Sequence, residues 1–517
     1  MYVKRNMQND TVFMNTKPSV RLAIGKEAMD LVTNPAFQKK WQSLYDACNW
    51  ATIFQSPQFV IPWYSLYHNK YDPILIYTYE DDELTGLITL AGGNGGREIA
   101  AAGRNDAHYQ AWIADDQNKE KFIIYALKKL QTVFGKEQIN FIHLPPNCPI
   151  DWINDKSFRC KVKQFSRPLI KLDAPTIQQL LRKKQFRECN NRLSRLGSIK
   201  FEKISNINDF DSVLDKVIVQ YDFRQGALYN TTPFKNNPLK KKLYIDLFKA
   251  GLMYATVIKL NEEIISSITG TIGENGFVHG AGVNSQSAFY HKYSLGFLNF
   301  VLFAQQLASD GYHKLDLSTG GQSYKYRLAN EEDTVTGLYV SLKKQNRIYL
   351  TANHLENHLK RRGINIETLK SNFRESKNEF NEKWSIVKRH GFRWLRINIF
   401  RSTGKKNALD SLLYTFRNSY KSSDCRLGIN SCDHLLKYQP DSSLMTTQTF
   451  LFNSMRRIEL GQIPYTWVKK DRLVACIWVN SDNDKLITHE DLLNHQRVAK
   501  IQSLYVRDII NGSRIKK

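Results

Sequence analysis

The sequence is poor in the features that mark several large protein classes. Its 7 cysteines, Cys48, Cys148, Cys160, Cys189, Cys425, Cys432 and Cys476, are odd in number and never stand at C-x-x-C spacing. That pattern argues against a zinc ribbon or a redox dithiol and fits a reducing, cytoplasmic setting. No H-E-x-x-H helix motif and no G-x-S-x-G elbow occurs, so neither a metal site nor serine hydrolysis is expected. Long apolar runs are also missing: the stretch Tyr293–Ser309 is interrupted by Ser294, Asn299, Gln305 and Gln306. The first twenty residues hold no run of signal-peptide length, and the expectation is a chain with neither an export signal nor a transmembrane segment. Acidic residues are scarce as well, 49 against 74 Lys and Arg, a formal net charge of +25 over 517 residues. Residues 341–410 alone hold 17 basic and 6 acidic side chains, which predicts an anionic partner there, nucleic acid or a membrane surface.

What is present reads as a folded multidomain chain. Hydrophobic residues at 42% and aromatics at 12% are enough to build cores, and the length exceeds what one core organises. Residues 1–40 read as an extension. From residue 41 to 170 the text gives a first α/β unit: WQSLYDACNW and FQSPQFVIPWYSLY, a hairpin of Pro73–Tyr79 and Leu84–Leu90 about a charged turn, a helix over Lys119–Phe134 and a buried strand Ile139–Leu144. The glycine-rich AGGNGGRE lacks the strand, turn and helix order and the Lys-Ser/Thr of a phosphate loop, and reads as a flexible connection.

Residues 171–343 read as a second unit. A helix over Thr176–Leu196 stops at Gly197, and eight basic side chains crowd 182–203, a solvated face or a phosphate contact. Helices around Phe210–Tyr221 and Leu239–Ala250 precede an antiparallel meander of Met253–Leu260, Ile264–Ile272 and Gly276–Val283. A buried helix Leu295–Ala308, a strand His313–Leu317 and the turn STGGQS before Tyr324-Lys325-Tyr326 complete it. Residues 344–410 read as a basic helical arm, with strand text only at Trp394–Phe400. Residues 411–517 read as an auxiliary small α/β module, incomplete as a transferase fold, with a hairpin of Tyr465–Lys469 and Leu473–Val479 and, after Ile487, no second set of strands to complete another transferase fold.

Antiparallel strands feeding a buried helix suit an acyl-CoA site, because splayed strands admit a thin chain and a helix start offers free amides to a pyrophosphate. The candidate donor-binding text is His291-Lys292-Tyr293-Ser294-Leu295-Gly296, where Gly296 permits close backbone approach and His291 and Lys292 add positive charge. A single glycine at a helix start also serves as simple capping. Asp316 stands where it can bond the amides of its own turn. Tyr324 reads as a core aromatic, and His279 either faces the cleft or is a satisfied half-buried ring. Arg224 pairs with an acidic acceptor or caps its helix.

The ordered set ATVIK at 255–259, EIISSIT at 263–269, VHGAGV at 278–283, YSLGF at 293–297 and GYHKLDLSTGGQSYKY at 311–326 resembles the CelD/BcsL-like acetyltransferase family of the GNAT superfamily. The matching positions are Gly296, Gly311, Asp316, Gly320, Tyr324 and Lys325, and the similarity extends over about residues 41–340. That resemblance implies tandem GNAT-like domains of α/β (α+β) class, with mixed, largely antiparallel sheets flanked by helices, as in Fem-type peptidyltransferases. It further implies acetyl-CoA or another acyl-CoA as donor, and a small-molecule or saccharide acceptor in polysaccharide or cell-envelope synthesis. Direct transfer would need positioning and proton removal rather than a covalent nucleophile. In that scheme Asp316 and Tyr324 serve the chemistry, His291, Lys292, Ser294, Leu295 and Gly296 hold the donor, and Arg224, His279, Gly320 and Lys325 face the acceptor or a phosphate. A Fem-like aminoacyl-tRNA-dependent transferase and a catalytically silent binding protein are the alternatives.

Overall fold

The computed structural model describes residues 19–93, 98–135, 137–154, 158–280, 282–320, 322–342, 425–440, 445–480 and 501–506. The described residues of Met1–Arg167 and Asp333–Gln345 form one compact unit, and those of Pro168–Glu332 and Asn346–Lys517 a second. The basic arm expected over 344–410 lies outside the described residues, as does the core of the glycine-rich connection at 94–97.

The first unit opens with β1 (Arg21–Ile24), α1 (Lys26–Thr33), α2 (Pro35–Ala47) and α3 (Pro57–Tyr67). α2 and α3 begin where their sequence says they should. Asn34 accepts from the amides of Ala36 and Phe37, Ser56 from that of Phe59, and each helix has proline in its first turn. β2 (Tyr71–Glu80), β3 (Glu83–Gly93), β4 (Glu98–Ala101), β5 (Ile113–Ala114), α4 (Lys119–Val133), β6 (Gln138–Leu144) and β7 (Arg159–Lys171) follow. β2 and β3 make a hairpin in which Glu80 faces Glu83 and the two turn residues, Asp81 and Asp82, both have positive φ. That is the primed turn whose twist matches the strands. Within this unit β4 runs parallel to β6, and α1, α2 and α3 bury Ala28, Val32, Phe37, Trp41, Trp63 and Tyr64.

The second unit continues with α5 (Ala174–Arg182), α6 (Lys184–Ser194), β8 (Ile199–Lys203), α7 (Ile207–Tyr229), α8 (Leu239–Lys249), β9 (Met253–Leu260), β10 (Glu263–Ile272), β11 (Phe277–His279), β12 (Asn284–Gln286), α9 (Leu295–Ser309), β13 (Lys314–Asp316) and α10 (Ser323–Leu328). Next comes β14 (Glu331–Ser341), which pairs antiparallel with β6. In the second unit the last residues of β7 pair antiparallel with β13. β13 pairs parallel with β11, β11 antiparallel with β10, β10 with β9 and β9 with β8. α9 is buried nearly all round, with Leu295, Phe297, Leu298, Phe300, Val301, Phe303, Ala304 and Leu307 in the core. Each such side chain contributes roughly 1.5–3 kcal/mol of transfer free energy.

Four differences from the sequence reading have physical causes. The expected helix 176–196 is two helices, broken at Lys183, whose ψ of 132° leaves the helical region. The third strand of the meander, expected over Gly276–Val283, is only the short β11, and a further short strand, β12, follows it; both are antiparallel to β10. α7 does not stop near Tyr221 before a glycine loop but runs on to Tyr229, because Gly226 is a point of helix contact and not a breaker. Finally, Ser323, the last residue of the expected turn STGGQS, already opens the helix α10, which carries Tyr324, Lys325 and Tyr326.

The chain ends, among the described residues, in β15 (Cys425–Ile429), α11 (Cys432–Leu436), α12 (Thr447–Glu459), β16 (Gln462–Lys469), β17 (Arg472–Asn480) and β18 (Ile501–Val506), an antiparallel sheet in that strand order. After Ile487 the described residues add one strand, β18, which pairs along β17 from Ala475 to Val479. Among the described residues no helix is long and apolar enough to cross a membrane.

Candidate functional site

The site grows from the interruption between β11 and β12. β11 lies between β10 and β13, with Val278 opposite Leu315 and His279 opposite Asp316. β12 keeps β10, with Ser266 opposite Gln286 and Ser267 opposite Ser285, and among the described residues it has no second strand. The strands therefore part after His279 and Asp316. The kink is held by hydrogen bonds from the Gly280 amide to Asp316 O at 2.8 Å and from the Val283 amide to Thr269 Oγ1 at 2.7 Å. Among the described residues β12 therefore presents one edge without a strand partner, a gap in the ladder.

After β12 the chain makes a 3-10 segment, Ala288–Tyr293, and enters α9 through Ser294, a non-glycine residue at φ 51°. Leu295 and Gly296 begin the helix, where amides have no carbonyl one turn back. His291 and Lys292 stand exposed on the 3-10 segment. His291 Nε2 lies 3.7 Å from Glu459 Oε1, and the Lys292 ammonium rests 5.3 Å from the centre of the Tyr293 ring. At Gly296 a Cβ would fall 2.2 Å from Gln286 Nε2, so any larger residue here displaces the end of the Gln286 side chain.

Gln286 ties the helix start to α7. Its Oε1 accepts from Arg224 Nη1 at 2.9 Å. Arg224 is half-buried in mid-helix and forms no ion pair among the described residues, so it is not the helix cap the sequence allowed. Its charge also reaches Tyr324. Burial pushes the Tyr324 phenol up, and Arg224 partly opposes that shift. The Tyr324 ring lies 5.7 Å from that of Phe300 on α9. Arg224, Gln286, Gly296 and Tyr324 thus form one connected group drawn from α7, β12, α9 and α10.

The other predicted residues form a second, more deeply buried group. Asp316 is 1% exposed and His279 3%. Asp316 Oδ2 meets His279 Nδ1 at 3.0 Å, while Oδ1 accepts the Ser318 amide at 2.6 Å. Lys325 is 7% exposed and donates to the carbonyls of Ser318 at 3.2 Å and Thr319 at 2.8 Å. Burial pushes its ammonium down to about 8, against the pull of Asp316. The turn Ser318–Gly320, with Ser318 at φ 64° and Gly320 at φ 128°, is consequently gripped from below by a carboxylate and from above by an ammonium.

Gln286 was invisible in the sequence, as was the chain beneath it. There Asn299 Nδ2 donates to Ser266 Oγ, Ser266 Oγ to Ser285 O, and Ser285 Oγ to Gln220 Oε1, at 2.7–2.8 Å. The adjacent polar pair Ser266-Ser267 within an apolar strand is the one local sign of it.

With this geometry in place the comparisons are informative. Residues 181–326 match the family described as Acetyltransferase (GNAT) domain. The fold is of GNAT acyltransferase type. Solved structures similar to the chain include FemX, at 9% identity over 61% of this chain and 98% of that one with TM-score 0.42. L-PGS from Bacillus licheniformis is similar at 12% identity over 63% and 96%, TM-score 0.38. A tandem GNAT protein from the clavulanic acid biosynthesis pathway is similar at 8% identity over 63% and 100%, TM-score 0.38. No curated protein matches the chain.

Proposed function

We propose that the second unit is an acyl-CoA-dependent N- or O-acyltransferase acting by direct transfer. Its acceptor on this reading is a sugar, nucleotide-sugar or small amine in polysaccharide or cell-envelope synthesis, as in the CelD/BcsL-like family that its motifs resemble. The observation that carries the reading is the parting of β12 from β13 beside the start of α9, within the stretch that matches a GNAT domain.

The residues present fit such a donor. Leu295 and Gly296 offer helix-start amides, Lys292 is an exposed cation next to them, and the exposed His291 ring stands 3.7 Å from Glu459. An acyl-CoA would supply an activated acyl group, and everything else falls to the chain. Tyr324 is the proton donor in this scheme: as the acceptor attacks and the carbon–sulfur bond breaks, the protonated phenol gives its proton to the departing thiolate, the acceptor's lost proton restores the phenol, and the Arg224 guanidinium stabilises negative charge meanwhile. Arg224, with a neutral amide as its described partner, is suited to hold an anionic group of a substrate. Both carboxylate oxygens of Asp316 are already engaged, and Lys325 is spent on turn carbonyls. Their part in the scheme is to fix the turn Ser318–Gly320 beside the gap, with His279 locking Asp316 from behind.

The test is calorimetric titration of the full chain with CoA and acetyl-CoA. It is followed by release of free thiol in the presence of amino sugars, nucleotide-sugars and small amines. Binding of CoA in the micromolar range with acceptor-dependent thiol release is expected. If aminoacyl-tRNA binds with a steep salt dependence while CoA does not bind at millimolar concentration, the acyl-CoA reading is wrong.

A further inference from the structure

The match to the GNAT domain ends at residue 326, yet the described residues from Cys425 onward share one apolar core with the site's own elements. Leu435, Leu436, Tyr438, Phe450, Leu451, Val468, Leu473 and Trp478 pack with Phe223 and Ala227 of α7, and Ala288 and Phe289 of the 3-10 segment lean on the same cluster. α7 is therefore buried on two faces. Phe210, Leu214 and Val217 are buried along its first half, and Phe223, Gly226 and Ala227 serve the C-terminal module.

The crossing of α12 on α7 is close enough to be specific. A Cβ at Gly226 would lie 2.7 Å from Leu451 Cδ1, and Gly226 is two residues from Arg224. The α7–α8 connection is tied in the same way. Asp222 accepts the amides of Phe234 and Lys235 at 3.1 and 2.8 Å, and Lys235 Nζ donates to Leu436 O at 2.7 Å. At the end of α12, Glu459 stands 3.7 Å from His291. Three separate contacts thus bear on the two segments that deliver Arg224 and the α9 start.

We infer that the C-terminal module is a positioning element of the transfer site, with Leu451 and Phe289 as the residues through which it acts. Leu451 sets where α7 holds Arg224 against Gln286. Phe289, seated in the module's core, sets where the 3-10 segment releases the chain into Leu295 and Gly296. Packed cores shift between discrete arrangements rather than deforming smoothly, so loosening either contact moves the donor end of the site as a block. This inference rests on the transferase reading, but its first readout does not depend on turnover.

The experiment uses the full chain with Leu451→Ala, Phe289→Ala and the conservative Leu451→Met and Phe289→Leu. Hydrogen exchange of peptides covering 220–235 and 286–298 is measured alongside the rest of the second unit. Expected is an acceleration of about tenfold confined to those peptides in the alanine variants, largely reversed in the conservative ones. Steady-state kinetics should then show a KM for acetyl-CoA raised about fivefold in the alanine variants. Should Leu451→Ala fail to fold, Phe289→Ala and the milder truncation Leu451→Val decide the matter through the same local exchange, with an acceleration confined to those peptides again expected. Exchange that rises evenly over the unit, or not at all, overturns the inference whether or not the chain turns over acyl-CoA. Local loosening in a protein that binds no CoA would instead leave the positioning intact and overturn the donor.

Discussion

Replacing Gly296 with alanine is expected to weaken ligand binding and stability by comparable amounts, and the structure supplies the terms. The new methyl would lie 2.2 Å from Gln286 Nε2, so the Gln286 amide must swing away. That amide is the partner of Arg224 at 2.9 Å, and the swing breaks the bond. A hydrogen bond to a charged donor contributes about 1.5–3 kcal/mol, and the half-exposed position of Arg224 argues for the lower end. Against this, alanine is better than glycine in a helix by up to about 1 kcal/mol, less at the second residue of α9. The net loss is on the order of 1 kcal/mol, a fall in melting temperature of roughly 2–4 °C. Binding of CoA, which on the proposed reading uses the helix-start amides and nearby charge, should weaken about tenfold, or ~1.4 kcal/mol. The decisive assay is a double-mutant cycle of Gly296→Ala with Gln286→Ala by urea unfolding and CoA titration. With Gln286 already removed, Gly296→Ala should cost no stability or improve it slightly. An equal cost in both backgrounds would refute the argument that Gln286 is what alanine displaces.

Lys325 gives a pH prediction. Its folded pKa of about 8 lies below the ordinary 10.5, so the fold penalises the charged form. The penalty is fully present below about pH 8 and is relieved as pH rises towards 10.5. Wild-type stability should therefore gain up to about 3 kcal/mol relative to Lys325→Met across that window, read from urea unfolding of both proteins. Asp222→Ala leaves the Phe234 and Lys235 amides without their carboxylate. It should cost about 2–4 kcal/mol and raise hydrogen exchange at 232–236, with Asp222→Asn costing less. Asp316→Ala strips the partner from the Ser318 amide and from His279. A stability loss of about 3 kcal/mol by chemical denaturation is expected, and an unchanged unfolding midpoint would show that the buried pair contributes nothing.

The sequence by itself determined what short-range physics controls. The hairpin about Glu80–Glu83, the turn at Asn261 and the hairpin about Lys470 were all readable, although their turns are Asp-Asp, Asn-Glu and Lys-Asp, with positive φ and no glycine. α9 was legible from its near-continuous apolar text, and α4 to within a residue. Residues such as Arg224, Gly296, Asp316, Tyr324 and Lys325 could be named as a set because they stand in an ordered pattern, but not sorted. Only the tertiary structure sorted them: Arg224 and Tyr324 with Gln286 and Gly296 beside the gap, Asp316 and Lys325 with His279 inside it. The reason is that periodicity and turn chemistry are properties of a few neighbouring residues, whereas burial and partnership depend on segments far apart in the chain. Gly226 shows the difference in one residue. In the text it looks like the end of a helix, and in the fold it is where Leu451, more than two hundred residues away, comes close enough to need the missing side chain.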